Sequence, residues 1–179
     1  MKYAAFLSGI NVGKRRVKMS ILAETFERLG HQNVGTYIAS GNIVFESTKR
    51  KKSLIEDTAS RALQQTLGYD VNVFVRSADE VATIADTEHF RSDEACSAAI
   101  NVGLMRNSLD AATAESLESV QTKQDSFRVI GSEFYWICNT KISESKVWDL
   151  PEIKQLALPK CTLRNISTIR KLVAKFFTG

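Results

Sequence analysis

The chain carries one plan twice, about ninety residues apart, and this repeat limits the architecture more than any single motif does. A Gly/Ser turn between two apolar runs occurs at Ser40-Gly41 and again at Gly131-Ser132. A Ser placed to cap a following helix occurs at Ser53 and again at Ser143. Strand-like runs open near Val71 and near Cys161, and each leads to a further capping Ser, Ser77 or Ser167.

Residue spacing fills in the plan. In the first pass, Lys2–Leu7 reads as a strand and 8–16 as a Gly-containing loop. Met19, Leu22, Ala23, Phe26 and Leu29 then recur at helical spacing until Gly30. The runs 34–39 and Asn42–Glu46 make a hairpin about Ser40-Gly41, a two-residue turn in which Gly supplies the positive φ. Ser53-Leu54-Ile55-Glu56 has the form of a capping box, before a helix with Ile55, Ala59, Ala62, Leu63 and Leu67 on one face and Gly68 at its end. A strand over 71–76 and a second capping box, Ser77-Ala78-Asp79-Glu80, close the pass. The second pass gives a strand over 97–104, a helix with Ala111, Ala114 and Leu117 inward, and a hairpin of 127–130 with 134–138. Ser143 opens a helix that Pro151 must kink or restart, since Pro lacks the backbone donor. A strand over 161–164 and a helix with Ile166, Ile169, Leu172, Val173 and Phe176 on one face complete it. The expected fold class is α+β: two ferredoxin-like βαββαβ units in tandem, one over 1–88 with a basic edge and one over 89–179.

Composition narrows the class. Hydrophobic content of 44% against 25% charged residues is that of a soluble globular protein. No apolar run approaches the roughly 18 residues of a membrane span, and the N-terminus has no signal-peptide anatomy. Cys96, Cys138 and Cys161 form no C-x-x-C pair and sit in apolar runs, so they read as buried, reduced thiols in a cytoplasmic protein. In that compartment the Asn165-Ile166-Ser167 sequon has no meaning. The net charge of +4 is unevenly spread. Residues 14–18, 49–52 and 160–179 hold thirteen positive charges between them and leave a net of −9 on the rest. Such segregation permits a local positive field.

Several segments resemble a known family. LSGINVGKRRVKM (7–19), TYIASGNIVF (36–45), VRSADE (75–80), SESKV (143–147) and TLRNISTIRKL (162–172) are similar, in order and across both halves, to the DUF1697 family of bacterial proteins. The resemblance implies a duplicated ferredoxin-like architecture and no activity, since the family is named for an unknown function. Two positions depart from its pattern: Ser8 stands where the family usually has Arg, and Lys14 where it has a second Gly.

Two groups of residues point to chemistry. The first is the loop with Asn11, Gly13, Lys14 and Arg15, together with Lys49 and Arg50. A phosphate loop needs four residues between its glycines and a hydroxyl after the Lys; here there are three, and Arg15 follows Lys14, which excludes a nucleotide hydrolase of that type. A Gly-flanked turn before a helix can still offer N–H groups to an anion, or can serve only as a tight connection. Taking the first and third strands of the unit as parallel puts residues 14–18 and 49–52 at one end of the sheet, as a basic edge able to follow a phosphate backbone. Tyr37 and Phe45 are candidates for the aromatics of an RNA-binding sheet. The second group is Ser145, Lys146, Arg164 and Asn165, with Ser167 and Thr168, around a helix N-terminus suited to phosphate or carboxylate; the alternative is that Asn165 or Ser167 caps its helix and Arg164 pairs with an internal acid. His31 and His89 have no Cys or Asp partner at a recognisable spacing, no metal-ligand pattern appears, and no cofactor is implied. Trp136 and Trp148 read as packing residues. The expected function is binding of a phosphate-bearing partner, nucleic acid or nucleotide, through the basic edge. The alternatives are an enzyme or sensor for a small anionic metabolite between the halves, and a self-associating scaffold.

Overall fold

The apolar alternation of the chain resolves into two four-stranded sheets, each packed with helices. The computed structural model describes residues 1–13, 15–86 and 99–178. In the first sheet, β1 (Lys2–Leu7), α1 (Met19–Arg28), β2 (Gln32–Tyr37), β3 (Asn42–Glu46), α2 (Lys52–Leu67), β4 (Val73–Ser77) and α3 (Ala78–Ala85) follow in order. In the second, β5 (Ala99–Met105), α4 (Ala111–Ser119), β6 (Asp125–Ile130) and β7 (Glu133–Cys138) lead to a 3₁₀ turn (Val147–Asp149). There follow α5 (Pro151–Gln155), β8 (Cys161–Asn165) and α6 (Ile166–Phe176). The spatial orders are β2-β3-β1-β4 and β6-β7-β5-β8, so the α+β architecture is two βαββαβ units in tandem. By contacts, residues 1–85 group with 170–179 and residues 86–169 form the other unit.

In the first unit, Tyr3, Ala5 and Leu7 of β1 meet Leu22 and Phe26 of α1 and Ile55, Ala59 and Leu63 of α2 in one core. Each large side chain buried there contributes about 1.5–3 kcal/mol relative to exposure. Ala4, Phe6, Val44, Phe74 and Arg76, on the other face of the same strands, are also buried. At the β2 edge that face is covered by the end of α6. The Phe176 ring lies where a Cβ on Gly35 would be 3.3 Å from it, and it meets Tyr37 edge-on at 6.2 Å. In the second unit, Met105, Leu117, Phe127, Phe134, Trp136 and Val147 form the core. Gly103 admits the Phe134 ring, whose Cζ lies 2.0 Å from where a Cβ would stand.

Local signals hold in part. Gly131-Ser132 is a two-residue turn, with Gly131 at φ +60. The first hairpin turn is longer, from Ile38 to Gly41, with Ile38 at φ +49 and Gly41 at φ +80. The Ser77/Glu80 capping box forms in both directions: Ser77 N–H donates to Glu80 (2.8 Å) and Glu80 N–H to Ser77 Oγ (3.2 Å). The expected box at Ser53 does not form. Helix α2 starts at Lys52 without a side-chain cap, and Glu56 turns inward to accept the Val75 N–H at 2.8 Å. Ser143 opens no helix, since residues 142–144 form only a turn, and Pro151 starts α5 as its first residue. No described helix is long and apolar enough to cross a membrane.

One topological expectation is overturned. β1 and β3 pair antiparallel, Lys2 opposite Glu46 and Phe6 opposite Asn42. Each βαβ crossover returns a strand parallel to the one it left, and the hairpin between β2 and β3 reverses the direction once. The loops after β1 and β3 therefore leave opposite ends of the sheet, roughly 17 Å apart along β1 at 3.3 Å per residue. The two cationic clusters do not form one basic edge.

A candidate anion site on the loop after the first strand

The loop 8–18 leaves β1 where the Leu7 N–H donates to the Gly41 carbonyl (2.8 Å). Its backbone alternates in hand. Gly9, Asn11 and Gly13 have φ of +70, +54 and +62, whereas Ile10 and Val12 stay at negative φ. Successive residues of opposite hand turn their N–H groups to a common side and make a concave anion seat. The Val12 N–H closes a turn on the Gly9 carbonyl; among the described residues, no protein acceptor takes the backbone N–H groups of Gly9, Ile10, Asn11 and Gly13.

The loop is fixed from several directions. Ile10 is buried, and it fits beside Gly41 because a Cβ there would lie 2.9 Å from its Cγ1. Asn11 clasps its neighbours: Nδ2 donates to the Ala39 carbonyl (2.8 Å), and Val17 N–H donates to Oδ1 (2.6 Å). Ser8 Oγ accepts the Asn72 N–H at 3.1 Å, which gives this departure from the family pattern a structural role. Arg15 lies over the Tyr69 ring at 4.0 Å, with Nη1 3.4 Å from where a Cβ on Gly9 would be. Arg16 Nη1 donates to the Gly13 carbonyl (2.9 Å) and to that of Arg15 (2.6 Å). One guanidinium thus flanks each end of the alternating run. Lys18, the residue before α1, has no side-chain cap over that helix start, and Lys14 lies outside the described residues. Asn11, Arg16, Val17, Lys18 and Ala39 line an open depression beside the loop. Val12 and Ile38 stand exposed on either side of the Asn11–Ala39 hydrogen bond, at 63% and 48%. For a β-branched residue such as Ile38 the left-handed conformation costs about 1–3 kcal/mol.

The other cluster sits at the opposite end of the sheet. The Tyr3 hydroxyl donates to the Lys49 carbonyl (3.2 Å), Arg50 is exposed, and Lys52 forms an ion pair with Glu80. Glu80 has a pKa below the usual carboxylate range. Its partial burial pushes the other way, and the hydrogen bond from Lys52 and that from the Ser77 N–H overcome it.

The second group of candidates does not come together. Ser145 Oγ donates to Asp125 Oδ1 (2.8 Å) on β6, whereas Arg164 lies on β8, at the other edge of the sheet. Three strand spacings separate those edges, about 14 Å. The two residues also belong to opposite faces. Asp125 pairs with the core residue Cys138, and Arg164 pairs with Val102, whose side of the sheet is opposite that core. Arg164 Nη1 donates to Thr162 Oγ1 and to the Leu163 carbonyl, both at 2.8 Å, and burial lowers its pKa to about 10, so it stays charged at neutral pH. Asn165 Oδ1 accepts the Ser167 N–H (2.9 Å), the capping role that was one of its two expected roles. Lys146 is exposed before the 3₁₀ turn.

A family model described as a protein of unknown function, DUF1697, matches residues 1–135. The chain belongs to the DUF1697 family. Among solved structures, a conserved bacterial protein from Streptococcus pneumoniae is similar to this DUF1697 chain with a TM-score of 0.73 at 23% identity. That match covers 99% of this chain and 98% of the other. At such identity the likeness concerns the fold. No curated protein matches the chain.

Two features of this DUF1697 chain had a signal in the sequence that spacing alone did not single out. Gly9-x-Asn11-x-Gly13 places the residue types that best tolerate left-handed backbone at alternate positions. Arg76 and Arg164 occupy the same place in the two halves, fourth in the last strand of each sheet. Both are buried, and both donate from Nη1 to the carbonyl of the preceding residue. The twin arrangement gives Arg164 a role in the repeated framework. Asp125, buried and accepting from Trp136 Nε1 as well as from Ser145, had no such signal. Phe45 lies in the core and Tyr37 is half-buried against Phe176, so neither offers an open stacking face. His31 is buried between the Phe26 and Phe45 rings, and burial raises the thiol pKa of both Cys138 and Cys161. Cys96 and His89 lie outside the described residues. Among the described residues no group of three His, Cys, Asp or Glu is placed to hold a metal ion.

Proposed function

We propose that the protein binds a phosphate-bearing partner, of nucleotide size, through the loop after β1. The observation that supports this reading is the alternating run 9–13. The N–H groups of Gly9, Ile10, Asn11 and Gly13 have no acceptor among the described residues, and the guanidinium groups of Arg15 and Arg16 flank the run. Backbone N–H groups and guanidinium forks are the donors that anionic oxygens take best. A polynucleotide is the weaker choice, because the two basic clusters lie at opposite ends of the sheet and neither Tyr37 nor Phe45 offers an open stacking face. Self-association by strand addition is also disfavoured at three of the four sheet edges. Glu56 covers the Val75 N–H on the β4 edge, Glu118 accepts the Val129 N–H on the β6 edge at 2.7 Å, and an irregularity between Gln32 and Gly35 breaks the β2 edge.

Titration of the ¹⁵N-labelled protein with inorganic phosphate at about 0.15 M salt tests the reading. Amide shifts should saturate at residues 9–13. The double variant Arg15→Ala/Arg16→Ala should weaken binding about tenfold, equivalent to about 1.4 kcal/mol, whereas Lys49→Glu/Arg50→Glu should change it less than about twofold. Shifts centred on residues 49–52, or no saturable shift at all, would overturn it.

A further inference from the structure

An anion alone does not explain what surrounds the loop. Val12 and Ile38 are large apolar side chains held in solvent on two segments that Asn11 joins, and Ile38 adopts a left-handed conformation that β-branched residues take only under constraint. Neither exposure serves the core, whose anchor in this loop is Ile10. Asn11 and Ala39, the chain neighbours of Val12 and Ile38, line the open depression together with Arg16, Val17 and Lys18. The donor set is also larger than a carboxylate needs. Four backbone N–H groups and two guanidinium groups match three terminal oxygens better than two.

Resting on the anion-site reading above, we infer that the ligand is a phosphate monoester with a compact apolar body. Its phosphate takes the N–H groups of Gly9, Ile10, Asn11 and Gly13, and its body lies against Val12 and Ile38. The shared chemistry is the monoester, and the body is aromatic or alkyl.

The test compares inorganic phosphate, ribose 5-phosphate, hexyl phosphate and adenosine monophosphate on the labelled full chain. All four should shift the amides of residues 9–13. Hexyl phosphate or adenosine monophosphate should bind at least about tenfold more tightly than ribose 5-phosphate and should move the Val12 and Ile38 methyl signals. Which of the two binds better decides between an alkyl and an aromatic body. Ile38→Gly should weaken the preferred ester about fivefold, leave inorganic phosphate unchanged, and keep or raise the melting temperature, because glycine accepts positive φ without strain. A purely structural role for Ile38 predicts the opposite: a lower melting temperature with ester affinity intact. Val12→Ser provides a second variant with the same expected loss. Equal affinity for all four compounds would overturn this inference and leave the anion site standing. An absence of phosphate shifts at residues 9–13 would overturn both. Affinity that grows with oligonucleotide length and exceeds that of the mononucleotide would overturn the small-ligand assignment.

Discussion

Asp125→Ala should destabilise the second unit by about 3–5 kcal/mol. The carboxylate is 5% exposed and accepts from Trp136 Nε1 (2.8 Å), Ser145 Oγ (2.8 Å) and Thr122 Oγ1 (3.1 Å). Hydrogen bonds to a charged acceptor are each worth about 1.5–3 kcal/mol in mutational series, net of the cost of burying the charge. The half-buried Ser145 hydroxyl and the Thr122 hydroxyl can turn to water. The buried indole N–H has no such escape, and an unsatisfied donor of that kind costs a further 1–3 kcal/mol or so. Near the melting point of a chain this long, each kcal/mol moves the transition by about 2–4 °C, so the shift should be on the order of 12 °C. Both tryptophans, Trp136 and Trp148, lie in the second unit, 5.4 Å apart edge to face, so intrinsic emission reports that unit alone. Asp125→Asn keeps a carbonyl acceptor and should lose only about 1–2 kcal/mol. An Asp125→Ala transition within about 2 °C of the parent would refute the reasoning and reopen Ser145 as a ligand residue.

Burial, and then Lys49, hold the His31 pKa below 6.5. Above about pH 6.5 the imidazole is neutral folded or unfolded and its contribution is complete; as pH falls below that, the unfolded chain takes a proton that the folded state resists, so stability drops. Urea midpoints at about pH 7.5 and about pH 5.5 should show the loss, His31→Phe should reduce it, and a midpoint that rises on acidification would contradict the assignment. Gly103→Ala places a methyl group 2.0 Å from Phe134 Cζ and should cost about 3 kcal/mol, read as a lower Trp-monitored melting point; an unchanged value would mean the ring moves without penalty.

Much of the fold was legible because it rests on period and on residues with one backbone preference. Gly68 ends α2 at φ +76, Gly131 makes the second hairpin turn at φ +60, and the Ser77/Glu80 box forms as its spacing implies. The failed box at Ser53 has a clear cause: a side chain able to serve a local cap was needed elsewhere. Glu56 stands three residues after Ser53, as a capping box requires, but the edge strand β4 leaves the Val75 N–H without a strand partner. Filling that buried donor outweighs a cap that water can replace at an exposed helix start. No periodicity tells α6 which sheet its last turn will cover. Only the missing side chain at Gly35, on a strand otherwise able to carry one, hints that a ring must lie there.

The site was harder to read because its two determinants are not local in the usual sense. Charge runs announce where cations are dense, but which loops share an end of a sheet depends on strand direction, and one hairpin reverses it. Residues 49–52 are as cationic as 14–18 yet sit on the far side, beside the start of β1, where the amino terminus donates to the Ser47 carbonyl at 3.0 Å. The second determinant is backbone hand. Comparison with a phosphate loop asks for glycines at a fixed separation followed by Lys and a hydroxyl, and by that template the loop fails. The physical requirement is broader: residues that tolerate positive φ at alternate positions, with nothing in the fold claiming the N–H groups between them. Gly9-x-Asn11-x-Gly13 meets the first condition in the sequence. Asn11 is the telling member, since its side chain also supplies the clasp to Ala39 and Val17 that glycine could not. That double duty ties the hand of the loop to the position of the β2–β3 turn. It places Ile38, at a strained φ of +49, in the turn that the Asn11 clasp holds against the loop.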